Sequence, residues 1–125
     1  MKDYSVIIID DHPVVREGYR RLIDLQPGLK IVGEAEDARS AYAAFRDLRP
    51  DVVVMDVTLP GASGIEAIRH IRQYDDTARI VVFTMHLSAA FALKAIKAGA
   101  TSYITKSSDP KVLIEAIFGA LRGQT

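Results

Sequence analysis

One pattern constrains this chain more than any other: five times over, a short β-branched run gives way to a polar exit and then to apolar residues at helical spacing. Tyr4 to Ile9 is such a run, ending in Asp10 and Asp11 as a buried strand opening into a polar loop does. Pro13 suits the first turn of a helix, and Val15, Tyr19, Leu22 and Ile23 recur at helical spacing until Pro27-Gly28 stops them. Leu29 to Ala35 predicts a second strand, and Asp37 caps a second helix carrying Ala41, Ala44, Phe45 and Leu48, closed by Pro50. Val52 to Met55 has no polar break, which suits a strand buried on both faces, and it ends at Asp56. Gly61 and Gly64 punctuate the loop before a helix with Ile65, Ile68 and Ile71. Arg79 to Phe83 predicts a fourth strand, ending at Thr84. Ser88 is placed to cap a helix with Phe91, Ala92, Ala95 and Ile96 inward, and Gly99 to end it in a left-handed conformation. Ser102 to Ile104 predicts the last strand, leading to Thr105 and Lys106. Asp109-Pro110 then starts a fifth helix with one apolar stripe: Val112, Leu113, Ala116, Ile117, Ala120 and Leu121.

Strict alternation of this kind implies an α/β fold, a doubly wound five-stranded parallel sheet with helices on both faces, because right-handed crossovers connect parallel neighbours. Such sheets place their sites outside the carboxyl ends of the strands, near the point where strand order reverses. The strand exits therefore form a list of candidate site residues.

The length of 125 residues allows one core, and 49% hydrophobic with 26% charged residues is ordinary for a globular domain. Sixteen basic against sixteen acidic residues leave no global basic field to hold nucleic acid or an anionic membrane. Without cysteine there is no disulfide framework and no thiolate metal site. The opening Met-Lys-Asp-Tyr-Ser carries no cleavable signal, and apolar runs such as Val6 to Ile9 fall far short of the ~20 residues a membrane helix needs. A cytoplasmic location with no membrane contact is the expectation.

Asp10 and Asp11 leave the first strand, Asp56 the third, Thr84 the fourth and Lys106 the fifth, so the fold would gather them on one sheet edge. Three packed carboxylates repel one another unless a cation or a lysine joins them. Oxygen-rich acidic sites suit magnesium, which keeps several waters and takes only one or two carboxylates. A lysine opposite the acids offers a point charge to a phosphoryl oxygen, and Thr84 offers a hydroxyl to another. A carboxylate held against a metal is a competent nucleophile toward phosphorus, and Asp56, central among the strands, is the best placed.

Four stretches carry a resemblance to the receiver domains of two-component response regulators. They are Val6-Ile7-Ile8-Ile9-Asp10-Asp11-His12-Pro13, Val54-Met55-Asp56-Val57-Thr58-Leu59-Pro60-Gly61, Val82-Phe83-Thr84-Met85 and Gly99-Ala100-Thr101-Ser102-Tyr103-Ile104-Thr105-Lys106, and the match spans essentially the whole chain. Asp10-Asp11-His12-Pro13, the following Arg16-Glu17-Gly18 and the Val32-Gly33-Glu34-Ala35 of the second strand resemble the subfamily with a LuxR-type (NarL/FixJ) DNA-binding output. The resemblance implies a flavodoxin-like (βα)5 fold with strand order 2-1-3-4-5. It makes Asp56 the phosphoacceptor, Asp11 a direct magnesium ligand, Asp10 a ligand through water and Thr58 the donor of a backbone carbonyl to the metal, with manganese able to substitute. Thr84 and Lys106 would grip the phosphoryl group, and Tyr103 would be the aromatic switch that turns inward as Thr84 moves. Thr58 and His86 would tune the phosphate lifetime. Ser107 stands where the family often has proline, which leaves the peptide geometry at Lys106-Ser107 open.

The resemblance further implies a sensor histidine kinase or a small phosphodonor as the source of phosphate. It also implies a homodimer through the first and fifth helices, and DNA contact only through an output domain not in this chain. Residues 1–125 are expected to be the receiver domain alone, continuing into a helix-turn-helix domain. Plainer readings stand beside these: Tyr103 as a half-buried core aromatic, His12 as a solvated or capping residue and not a ligand, His86 as a site neighbour and not a catalyst. A stand-alone receiver and an aspartyl-phosphate phosphohydrolase are the alternatives, although the latter wants a general acid where Thr58 stands.

Overall fold

The computed structural model describes residues 3–56, 64–85, 89–106 and 109–123. Its elements are β1 (Tyr4–Ile9), α1 (Pro13–Asp24), β2 (Leu29–Ala35), α2 (Ala38–Leu48), β3 (Val52–Met55), α3 (Gly64–Tyr74), β4 (Ile80–Thr84), α4 (Ala89–Ala98), β5 (Ser102–Thr105) and α5 (Pro110–Leu121). The strands pair in parallel in the order β2-β1-β3-β4-β5. The order reverses between β1 and β3, so the crevice where such sheets bind ligands lies at the exits of those two strands. Among the described residues no helix is long and apolar enough to cross a membrane.

Side chains alternate across a strand, and the central strands are apolar on both sides. Ile7, Ile9, Val53, Met55, Ile80 and Val82 face one core with Ala41 and Phe45 of α2, Ile65, Ile68 and Ile71 of α3, and Ala95 of α4. Val6, Ile8, Val52, Val54, Val81 and Phe83 face the other, with Ile23 of α1 and Leu113, Ile117 and Ala120 of α5. Full burial of each large aliphatic side chain contributes roughly 1.5–3 kcal/mol, so the two cores fix the strands whose ends carry the polar residues. The β1–β2 pairing slips register between Val6 and Ile7.

The helix ends follow their local chemistry. The Asp37 carboxylate accepts from the Ser40 N–H at 2.7 Å in a reciprocal cap of α2, and Asp109 accepts from the Lys111 N–H at 2.9 Å with Pro110 opening α5. Gly99 ends α4 at φ 123°, a conformation L side chains rarely adopt, and a Cβ there would also meet the Arg72 side chain. Two boundaries move by a residue: β4 starts at Ile80, leaving Arg79 outside it, and β5 extends to Thr105.

Helix α4 corrects an expectation. Phe91 and Ile96 do not point inward but remain 37% and 46% exposed, and Ala95 is the buried residue of this helix. The apolar side chains of α4 spread around it and do not form one inward stripe, and among the described residues β5 is the edge strand of the sheet. Gly61, Ser88 and Ser107, singled out in the sequence, lie outside the described residues.

Candidate functional site

Asp10 follows β1, Asp56 follows β3, Thr84 closes β4 and Lys106 follows β5, and the parallel sheet delivers all four to one edge. Among the described residues the buried polar or charged ones are Asp10, Asp56 and Thr84, with both aspartates only 2% exposed. Buried polar groups are costly unless they are paired, and each of these is paired to another member of the cluster. Lys106 Nζ donates to Asp10 Oδ2 at 2.7 Å and to Asp56 Oδ2 at 2.9 Å. The Thr84 hydroxyl donates to the other Asp56 oxygen at 3.0 Å. The backbone secures the same arrangement: Asp56 N–H donates to the Ile9 carbonyl and Lys106 N–H to that of Thr84.

Burial pulls the Lys106 ammonium toward a lower pKa, but the hydrogen bonds and charges of Asp10 and Asp56 outweigh it and raise the pKa above the ordinary lysine value. The amine is therefore a fixed cation at neutral pH. It also lies 5.7 Å from the centre of the Tyr19 ring, which packs edge-on against Phe83. Tyr103 is half-buried, and its hydroxyl pKa is raised by burial and secondly by the negative charge of Asp56. The switch tyrosine of the sequence reading thus lies within electrostatic reach of the acid.

Asp11 is the more open of the two acids after β1, yet its Oδ1 is buried and has no hydrogen-bond partner among the described residues. The ring Nδ1 of His12 lies 3.0 Å away without hydrogen-bond geometry, and bonds instead with Asp10 Oδ1 at 3.1 Å. One ligand atom each from Asp10, Asp11, His12 and Asp56 lies within 4.8 Å of the others. Three carboxylates against one lysine, with a buried oxygen left unsatisfied, form a donor set that fits a small hard divalent cation. His12, expected to be solvated or capping, is 60% exposed and precedes α1 without a side-chain cap bond, yet its ring touches both acids.

Sequence reasoning missed the supports of this site. Arg16 of α1 donates from Nη1 to the Asp10 carbonyl at 2.6 Å, and Glu34 of β2 lies against Arg16 and Arg20. Thr58 and His86 lie outside the described residues.

A doubly wound sheet of order 2-1-3-4-5, with acids at its reversal point and a lysine and a threonine on the central acid, defines a class. Residues 6–118 match the response regulator receiver domain, and the chain belongs to that family. LuxR-family regulators are among its relatives. It is 38% identical over 120 residues to the nitrate/nitrite response regulator protein NarP of Escherichia coli, covering 96% of this chain and 56% of that protein. It is 32% identical over 120 residues to NarL of the same organism, again 96% of this chain and 56% of the relative. The chain thus spans about half the length of these curated relatives. Among solved structures, a LuxR-family two-component response regulator from Aurantimonas superposes with TM-score 0.95 at 58% identity, over 98% of this chain and 88% of that one. The receiver domain of the putative NarL of Mycobacterium tuberculosis superposes with TM-score 0.94 at 28% identity, over 99% and 100%.

Proposed function

We propose that this receiver domain is a phosphorylation switch in which Asp56 accepts a phosphoryl group, with magnesium, from a sensor histidine kinase or a small phosphodonor. The observation that carries it is the double grip on a buried acid, Thr84 on one oxygen of Asp56 and Lys106 on the other, beside Asp10 and Asp11. In transfer, an Asp56 oxygen forms the new O–P bond as the donor's bond to phosphorus breaks, and the leaving group keeps the electron pair. Thr84 and Lys106 then pass from the carboxylate to the phosphoryl oxygens, where the lysine's fixed charge offsets the negative charge that arrives. Asp10, Asp11 and Asp56, with the backbone carbonyl of Thr58, would hold a magnesium ion, for which manganese can substitute, and when bound it supplies charge neutralisation and polarises the phosphoryl group.

Movement of Thr84 toward the phosphate opens space for Tyr103 to turn inward, a population shift between two packings biased by the new contacts. Thr58 and His86 tune the lifetime of the phosphate. The changed surface is read in the cytoplasm by a partner, through a homodimer of α1 and α5 faces and a helix-turn-helix output that regulates transcription; relatives named as transcriptional regulatory proteins support the last of these. The chemistry serves signalling and not turnover of a substrate, so the domain is not an enzyme in the ordinary sense. Intact mass after incubation with magnesium chloride and acetyl phosphate tests the assignment. A single phosphate adduct is expected, absent from Asp56→Asn; no adduct, or one that survives that substitution, would sink it.

A further inference from the structure

Two segments singled out in the sequence, Arg16-Glu17-Gly18 and Val32-Gly33-Glu34-Ala35, have no place in the phosphoryl chemistry, yet in the fold they meet. Arg16 Nε lies 3.3 Å from Glu34 Oε1, while Nη1 of the same guanidinium donates to the Asp10 carbonyl at 2.6 Å. The second Glu34 oxygen accepts from Arg20 Nη1 at 3.1 Å, so the carboxylate is anchored from two positions on α1. All three side chains are partly shielded from water, Arg16 the most.

These contacts bear on how Asp11 is aimed. The Asp10 N–H donates to the Ala35 carbonyl at 3.0 Å, and the His12 N–H donates to Asp10 Oδ1 at 2.9 Å. The peptide between Asp10 and Asp11 is held on its carbonyl side by Arg16. Asp11 Oδ1, by contrast, has no hydrogen bond among the described residues. The direction of the Asp11 carboxylate therefore depends on the backbone turn that Arg16 holds, with the His12 ring Nδ1 as its side-chain neighbour at 3.0 Å. From this geometry we infer that Arg16, braced by Glu34, is a positioning residue for the metal-binding acids, setting magnesium affinity through the Asp10–Asp11 peptide without touching the ion. The inference rests on the magnesium site proposed above.

Charge alone predicts the opposite sign, which makes the idea decidable. Removing a cation near a metal site relieves repulsion and tightens magnesium binding; removing a positioning group loosens it, typically by about tenfold or more for partners that orient metal ligands. The experiment follows the amide resonances of Asp11 and His12 against magnesium chloride in the wild type, Arg16→Met and Arg16→Lys, with thermal melts as fold controls. Acetyl phosphate labelling at saturating magnesium accompanies it.

The expected result is an about tenfold weaker magnesium dissociation constant in Arg16→Met. Its labelling rate should recover to within about twofold of the wild type once magnesium saturates, because the proposed role ends when the ion is bound. Arg16→Lys keeps the charge but cannot serve the carbonyl and Glu34 with one planar fork, so it should fall between the two. Unchanged or tighter binding in Arg16→Met overturns the inference. Should that variant not fold, unchanged binding in Arg16→Lys overturns it and weaker binding supports it. A wild type whose Asp11 and His12 resonances ignore magnesium overturns the metal site itself, and this inference with it; wild-type binding with an unaffected Arg16→Met overturns the inference alone.

Discussion

Replacing Lys106 with methionine keeps an unbranched side chain of similar length and removes only the ammonium. The structure says what that removal leaves behind: the Oδ2 atoms of Asp10 and Asp56, which the amine joins at 2.7 and 2.9 Å, on two side chains almost fully withdrawn from water. Breaking a buried ion pair by deleting one partner costs about 3–5 kcal/mol, and here two anions lose the same partner, which places the loss toward the upper end. For a domain of this size that corresponds to a fall in Tm of roughly 10–20 °C. Urea and thermal unfolding followed by far-UV circular dichroism at pH 7, without divalent ions, measure it directly. The deficit should narrow in millimolar magnesium, which offers the acids another cation and stabilises by mass action. The sign with pH is also fixed. Because the folded-state pKa of Lys106 is raised, its contribution is fully present below the unfolded lysine value of roughly 10.4 and is lost only as pH climbs through the higher folded value. The gap between wild type and variant should thus be flat from neutrality to about pH 10 and shrink above it. A loss below about 1 kcal/mol, the scale of exposed pairs, would refute the reasoning that the amine is the counter-charge of a buried cluster.

Two further outcomes probe the scaffold. Ile80→Ala, at a fully buried position of β4, should cost about 2–5 kcal/mol in urea unfolding with an unchanged m-value, and a loss under 1 kcal/mol would contradict the packing described. The Asp37 carboxyl pKa is lowered, chiefly by the Ser40 N–H and then by its hydroxyl, so its capping contribution is present above the ordinary carboxylate range and lost as pH falls through the lowered value. Asp37→Asn should therefore show a shallower loss of stability than wild type below about pH 4 in melts across pH, and identical slopes would refute it.

The strands were legible because a parallel sheet buried on both faces leaves uninterrupted runs such as Val52 to Met55, and the site because those runs stop at Asp10, Asp56, Thr84 and Lys106. Helical spacing placed Ala95 correctly but misled at Phe91 and Ile96: periodicity reports which side chains share a face, not how far that face is withdrawn from water. Arg16 and Glu34 stood out only as parts of a resemblance, with no role attached, and Tyr19 escaped for another reason. Tyr19 reads as one more apolar member of a helical stripe, and its meeting with Lys106 joins distant parts of the chain that no local pattern links. His12 read as a solvated or capping residue because it stands just before a helix, yet the turn folds its ring back onto two carboxylates.

The slip in the β1–β2 register decides which helix Glu34 can serve. Ile31 lies opposite Val6 and both face α1 and α5; Val32 is then skipped, so that Gly33 lies opposite Ile7 and Glu34 opposite Ile8. Counted without the skipped residue, Glu34 would stand across from Ile9, whose side chain points into the α2 and α3 core, because a one-residue shift moves every later side chain to the opposite face. A single surplus residue in an edge strand is thus what turns a carboxylate toward the arginines of α1 and not into a wall of aliphatic side chains.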